Sequence, residues 1–200
     1  KLADKNGIIL IFDECTSGFR ETYGGLHLKY NVIPDIAMFG KALGNGYAIT
    51  AVVGKREFMK STKETFISST FWTERVGPTA GIATLNEMQK LKSWEKISNT
   101  GKHIKKKITN IALKNKIKIE FSGLDSLINF KFKSKHNDLF IKFLTFEMLK
   151  KGFLAKNSLY VSVAHTKILI EKYLYCLNEI FQKLGKFELK KKEEILKKDL

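Results

Sequence analysis

The chain has 200 residues, 44% of them hydrophobic and 12% aromatic, enough apolar material for one large or two small cores and too much for a disordered chain. Its formal charge of +16 would suit a polyanionic partner, but arginine, which reads phosphates and bases bidentately, occurs only at Arg20, Arg56 and Arg75, so nucleic acid is not an expected partner. No apolar run approaches the roughly 18 residues of a membrane span, and Cys15, Cys176 and four scattered histidines form neither a disulfide framework nor a metal-ligand spacing, which points to a reducing, cytoplasmic setting.

Residues 1–7 read as the end of a helix leading through Gly7 into a strand, so the chain is expected to be the carboxyl-terminal part of a longer one. The run Ile8-Ile9-Leu10-Ile11-Phe12 is β-branched and aromatic throughout, as in a strand buried on both faces of a parallel sheet, and it ends in Asp13-Glu14. Neighbours on a strand face opposite ways, so only one of these carboxylates can serve a site. Cys15 to Gly25 is a turn-rich loop, and Val32 to Phe39 is an extended lead-in at Pro34 followed by a short buried strand. Gly40-Lys41 ends that strand, ahead of Gly44-Asn45-Gly46, whose backbone can approach a ligand closely. Tyr47 to Val53 alternates towards another strand, and Gly54 to Glu57 turns into a short helix.

Further on, Pro78 to Leu91 and Trp94 to Asn115 have helical periodicity, the second with lysines opposite an apolar stripe that includes Ile97, Ile104, Ile108 and Ala112. Ile117–Phe121 and Leu127–Phe132 alternate as half-buried antiparallel strands. Asp138 to Lys151 is a helix closed by Gly152, Leu159 to Ala164 a third strand, and His165-Thr166 leads into a final helix from Lys167 to Leu184. Lys186 to Leu200 is rich in lysine and glutamate, as a frayed helix or tail would be.

The chemical signal is the pairing of Asp13, at the carboxyl end of a strand, with Lys41, 28 residues later on a glycine-flanked turn. A pyridoxal phosphate enzyme needs these two groups. The lysine amine forms a Schiff base with the cofactor aldehyde, and the carboxylate keeps the ring nitrogen protonated so that the ring accepts electrons. Burial of the amine near that ring would lower its proton affinity and favour the neutral nucleophile.

The segments LIFDECTSGFRETYGG and PDIAMFGKALGNGYAITAVVGKREFM, in this order and separation, resemble the class III (ornithine/glutamate-1-semialdehyde type) aminotransferases of the fold type I pyridoxal phosphate superfamily. The resemblance implies an α/β chain. Residues 1–92 would be the carboxyl-terminal part of the cofactor-binding large domain, with a mainly parallel sheet. Residues 93–185 would be a small α+β carboxyl-terminal domain, and 186–200 a charged tail. It also implies that Cys15, two after the aspartate, packs on a face of the cofactor ring. Thr70, in Phe66 to Thr73, would reach the cofactor phosphate of a neighbouring subunit in a homodimer. The segment Trp72 to Pro78 departs from the family's commoner small-residue turn. The expected site is therefore Lys41 as catalytic residue, with Asp13, Cys15, Lys41 and Thr70 binding pyridoxal 5'-phosphate. The expected activity is transfer of an amino group between a small-molecule amino donor and a keto acid or aldehyde. Intramolecular transfer of the glutamate-1-semialdehyde 2,1-aminomutase kind and an inactive truncated piece are the alternatives.

Overall fold

The computed structural model describes residues 1–198, with side chains through residue 190. The chain divides into two compact units, Lys1–Lys96 and Ile97–Leu200. In the first, a single helical turn, α1 (Leu2–Lys5), leads through Gly7 at φ +62° to β1 (Ile11–Asp13). β1 pairs in parallel with β2 (Ile36–Phe39), and β2 in antiparallel with β3 (Ala51–Gly54), giving the sheet order β1-β2-β3.

The apolar run at 8–12 differs from the expected doubly buried strand. Only three residues from Ile11 onward are strand, and Ile8, Ile9 and Ile11 are exposed. β1 is an edge strand with one neighbour, so its outer edge and part of its apolar surface face solvent. Leu10 is tied to the next strand all the same. Its N–H donates to Asp35 Oδ2 at 2.8 Å, and its carbonyl accepts from the N–H of Asp35 at 2.9 Å.

The small core of this unit is Ala37, Phe39 and Leu43, with Phe19, Ile49, Ala51 and Leu85 packed on it. After the short helix α2 (Arg56–Met59) comes α3 (Val76–Leu91), with Pro78 in its first turn and Gly77 and Gly81 on its buried face. A Cβ on Gly77 would lie 2.7 Å from the carbonyl oxygen of Ala48, so only glycine lets the helix seat on the segment before β3.

The loop after β1 is fastened by Glu14, which is 2% exposed. Its carboxylate accepts from the Ser17 hydroxyl and from the His27 N–H at 3.0 Å, and His27 Nδ1 lies 3.1 Å away. Burial pushes this carboxyl up, but hydrogen bonds from Ser17 and from the Leu26 and His27 amides outweigh it and hold the group below its ordinary value of 4.5.

The second unit is built around α4 (Ser93–Lys114), whose stripe Ile97, Ile104, Ile108 and Ala112 is buried. Three antiparallel strands follow in the order β4-β5-β6: β4 (Ile119–Ser122), β5 (Leu127–Phe132) and β6 (Ser158–Tyr160). Two further helices, α5 (Asn137–Lys150) and α6 (Lys167–Lys198), complete the unit. Phe132 sits at the centre, its ring 5.5 Å from Phe140 and 5.4 Å from Phe181. Buried Glu147 on α5 accepts from Lys150 at 3.0 Å and from Lys183 of α6 at 2.6 Å.

Two elements depart from their expected limits. β6 stops at Tyr160, because Ser162 turns its N–H onto His165 Nδ1 at 2.9 Å, so His165 serves the turn before α6. α6 continues past Leu184 through Gly185 to Lys198, since the lysine and glutamate residues beyond are good helix formers. Residues 199 and 200 of the expected tail lie outside the described residues. Among the described residues no helix is long and apolar enough to cross a membrane.

Two outcomes test these assignments. Leu177→Ala, at a fully buried site, should lower stability by about 2–5 kcal/mol in urea unfolding, whereas Ile168→Ala, at 81% exposure, should stay within about 0.5 kcal/mol. Glu14→Ala should cost about 1–3 kcal/mol at neutral pH, the scale of buried donors left unpaired. Because the folded carboxyl binds its proton more weakly than the unfolded one, this contribution is complete above 4.5 and fades as pH falls towards the folded value, so the penalty of the variant should shrink in acid.

Candidate active site at the carboxyl ends of the first two strands

Parallel pairing sets Asp13 opposite Met38, so the segments that follow β1 and β2 leave the sheet at the same level. The first bond past the register runs from the Glu14 N–H to the Met38 carbonyl at 2.8 Å. One residue further, Cys15 lies over Gly40, where a Cβ would come within 3.3 Å of Cys15 Sγ and 3.4 Å of Thr50 Cγ2. A side chain at position 40 would crowd this contact. Lys41 then opens a 3₁₀ turn (Lys41–Leu43) with φ +42°, followed by Asn45 and Gly46, also at positive φ.

These turns bring polar groups together. Asp13 Oδ1 accepts from the Cys15 N–H at 3.0 Å, and the Lys41 amine donates to the Thr16 hydroxyl oxygen. Cys15 feels both charges. Desolvation pushes its thiol up, the hydrogen bond and negative charge of Asp13 push it further, and the positive charge of Lys41 opposes them. The thiol is thus held protonated, a small apolar group and not a nucleophile.

Asp13 and Lys41 are exposed while Cys15 and Thr16 are half-buried. The burial expected for Lys41 is not provided by the described residues, because no element of this unit covers the end of the sheet. Glu14 turns inward to its loop and takes no part. Thr70 lies in an exposed stretch between α2 and α3, and among the described residues none of the hydrogen bonds there reaches Asp13, Cys15 or Lys41. Thr16, which accepts from Lys41, is not among the residues expected from the sequence. Its only signal was a hydroxyl three residues after the strand-end carboxylate.

A glutamate-1-semialdehyde 2,1-aminomutase of Methanocaldococcus jannaschii is 29% identical over 92% of this chain and 47% of its own. A 3-aminobutyryl-CoA aminotransferase of Cloacimonas acidaminovorans is 33% identical over 72% of this chain and 35% of its own. Among solved structures, the FumI protein of Sphingopyxis sp. MTA144 in its PLP internal aldimine form superposes with a TM-score of 0.85 at 22% identity, covering 92% of this chain and 45% of that one. The α/β fold is that of the fold type I enzymes, and the chain spans about half the length of the curated relatives it matches. The model of the family Aminotransferase class-III matches residues 1–171, and with that span of its 200 residues the chain belongs to the class III aminotransferase family.

Proposed function

We propose that the protein is a pyridoxal 5'-phosphate-dependent aminotransferase that moves an amino group between an amino acid or amine and a keto acid or aldehyde. The observation that carries this reading is that a strand-end carboxylate and an exposed amine meet adjacent residues of the loop after β1: Asp13 Oδ1 accepts from the Cys15 N–H and Lys41 donates to the Thr16 hydroxyl. The residues fit the cofactor. An amine matches its aldehyde, a carboxylate matches a protonated ring nitrogen, and Gly40 lets Cys15 pack closely over the end of β2. When bound, the cofactor supplies an electron sink that acidifies the substrate carbon bearing the amino group.

The chain's own residues do the rest. The Asp13 carboxylate, whose Oδ1 accepts from the Cys15 N–H, would keep the ring nitrogen protonated. Cys15 would pack against the ring. Lys41 would hold the cofactor through Nζ and, when its amine is free, would carry a proton to and from the substrate carbon. Thr70 binds the cofactor phosphate of a second copy in a homodimer. The exposure of Phe66, Phe71 and Trp72 around it, 93%, 74% and 67%, supports a protein surface there. The two free cysteines suit the cytoplasm.

A second reading, intramolecular amino transfer, is supported by the aminomutase names of relatives that align over 92% of this chain. Release of a separate keto acid or aldehyde from an amino donor distinguishes transfer from mutation.

In the full chain, borohydride reduction after adding pyridoxal phosphate should leave the cofactor on Lys41 in peptide mass spectra. Lys41→Ala should abolish that adduct and slow transfer by about 10³-fold. Asp13→Asn should keep the adduct while slowing transfer by roughly 10²-fold. A cofactor mapped to a different lysine contradicts the assignment.

A further inference from the structure

A lysine side chain carries four rotatable bonds, and an exposed one has no steric reason to keep its amine in one place. Lys41 is exposed, yet its amine rests on the Thr16 oxygen, 25 residues earlier in the chain. Thr16 is fixed from several directions. Its β-branched side chain is stiff at χ1. On one side Cys15 is packed against Gly40 and bonded through its N–H to Asp13. On the other, Ser17 is tied to buried Glu14, whose carbonyl also accepts from the Gly18 N–H at 2.8 Å, and the Thr16 carbonyl accepts from Arg20 Nε at 3.4 Å. A side chain with four rotatable bonds therefore meets a hydroxyl on a stiff side chain whose neighbours are tied down.

The kind of oxygen matters. A carboxylate only accepts, so it would favour the ammonium form and oppose any step that needs the neutral amine. A hydroxyl accepts from an ammonium and donates to a neutral amine, so it holds the nitrogen in both protonation states.

We propose that Thr16 is the positioning residue for the Lys41 amine: its hydroxyl is the point that keeps Nζ on the loop after β1, and the place to which the amine returns whenever it is free. This rests on the reading of Lys41 as the cofactor-bearing lysine, but its test does not need the cofactor. The other lysines of the chain serve as internal standards, above all Lys55, held by Asp35 at 2.6 Å.

The experiment is trace reductive methylation of the full chain with formaldehyde and cyanoborohydride, with the rate at each lysine read by peptide mass spectrometry. Thr16→Val keeps volume and branching but removes the oxygen; Thr16→Ser keeps the oxygen. Lys41 in Thr16→Val should be methylated roughly 3- to 10-fold faster than in the parent, the scale of one hydrogen bond, and Thr16→Ser should stay within about twofold. Unchanged labelling of Lys41 in Thr16→Val overturns the proposal. If Lys55 also accelerates in the valine variant, the serine variant decides: slow labelling of Lys41 there supports the proposal, and fast labelling overturns it. A reduced pyridoxal phosphate adduct on some other lysine would refute the cofactor assignment while leaving the labelling difference, so the two failures are separable.

Discussion

The parallel, in-register pairing of β1 with β2 is the constraint on which the rest of the site depends. Antiparallel strands would send their carboxyl ends in opposite directions, and the segments that follow them would not meet. With Ile11 opposite Ile36 and Asp13 opposite Met38, both chains leave the sheet together, and the residues after them can touch. A one-residue slip of β1 would turn Asp13 inward and Glu14 outward. Asp35 guards against that slip from the other end of the strands, bonding the Leu10 amide and the Lys55 amine. Those same bonds, Leu10 first and Lys55 second, hold the Asp35 carboxyl below its ordinary range.

Two adjacent carboxylates divide the work because the pleat separates them. Glu14, buried and supplied with several donors, cannot be released to a substrate without leaving those donors unpaired. It therefore serves the loop. Asp13 is exposed and accepts through Oδ1 from the Cys15 amide. Cys15 feels the charges of both Asp13 and Lys41, and its thiol is held above its ordinary range.

What the sequence made legible follows from how local each signal is. The stripe of α4 repeats at helical spacing and needs no partner to be read, and Gly152 at φ +79° closes α5 as a residue free of Cβ strain does. Alternation in β4 and β5 likewise depends only on which side faces a core. Burial of the 8–12 run was not legible, because composition records what a strand can bury and not whether a neighbour is there to cover it. The early stop of β6 depends on His165 reaching back to Ser162, a side-chain bond with no periodic trace. Among the candidate site residues, Asp13 and Lys41 stood out by their place at strand ends, and Cys15 by the family resemblance. Thr16 did not, since its contact with Lys41 exists only once two loops distant in sequence have been folded onto each other.

The backbone at Lys41 has a φ of +42°. Positive φ in a residue other than glycine costs on the order of 1 kcal/mol or more, so a lysine in that state calls for a reason. Lys92 and Lys116 share it, but both follow the ends of long helices, where a left-handed residue is the ordinary stop. Lys41 has no helix before it; it leaves a strand through Gly40 and begins a turn. Glycine at 41 would relieve the strain and keep the turn, but it would lose the amine. The left-handed conformation and the hydrogen bond to Thr16 belong to one arrangement, in which the chain bends sharply at the end of β2 and the side chain, instead of extending into solvent, reaches back across the strand ends to the loop that follows β1.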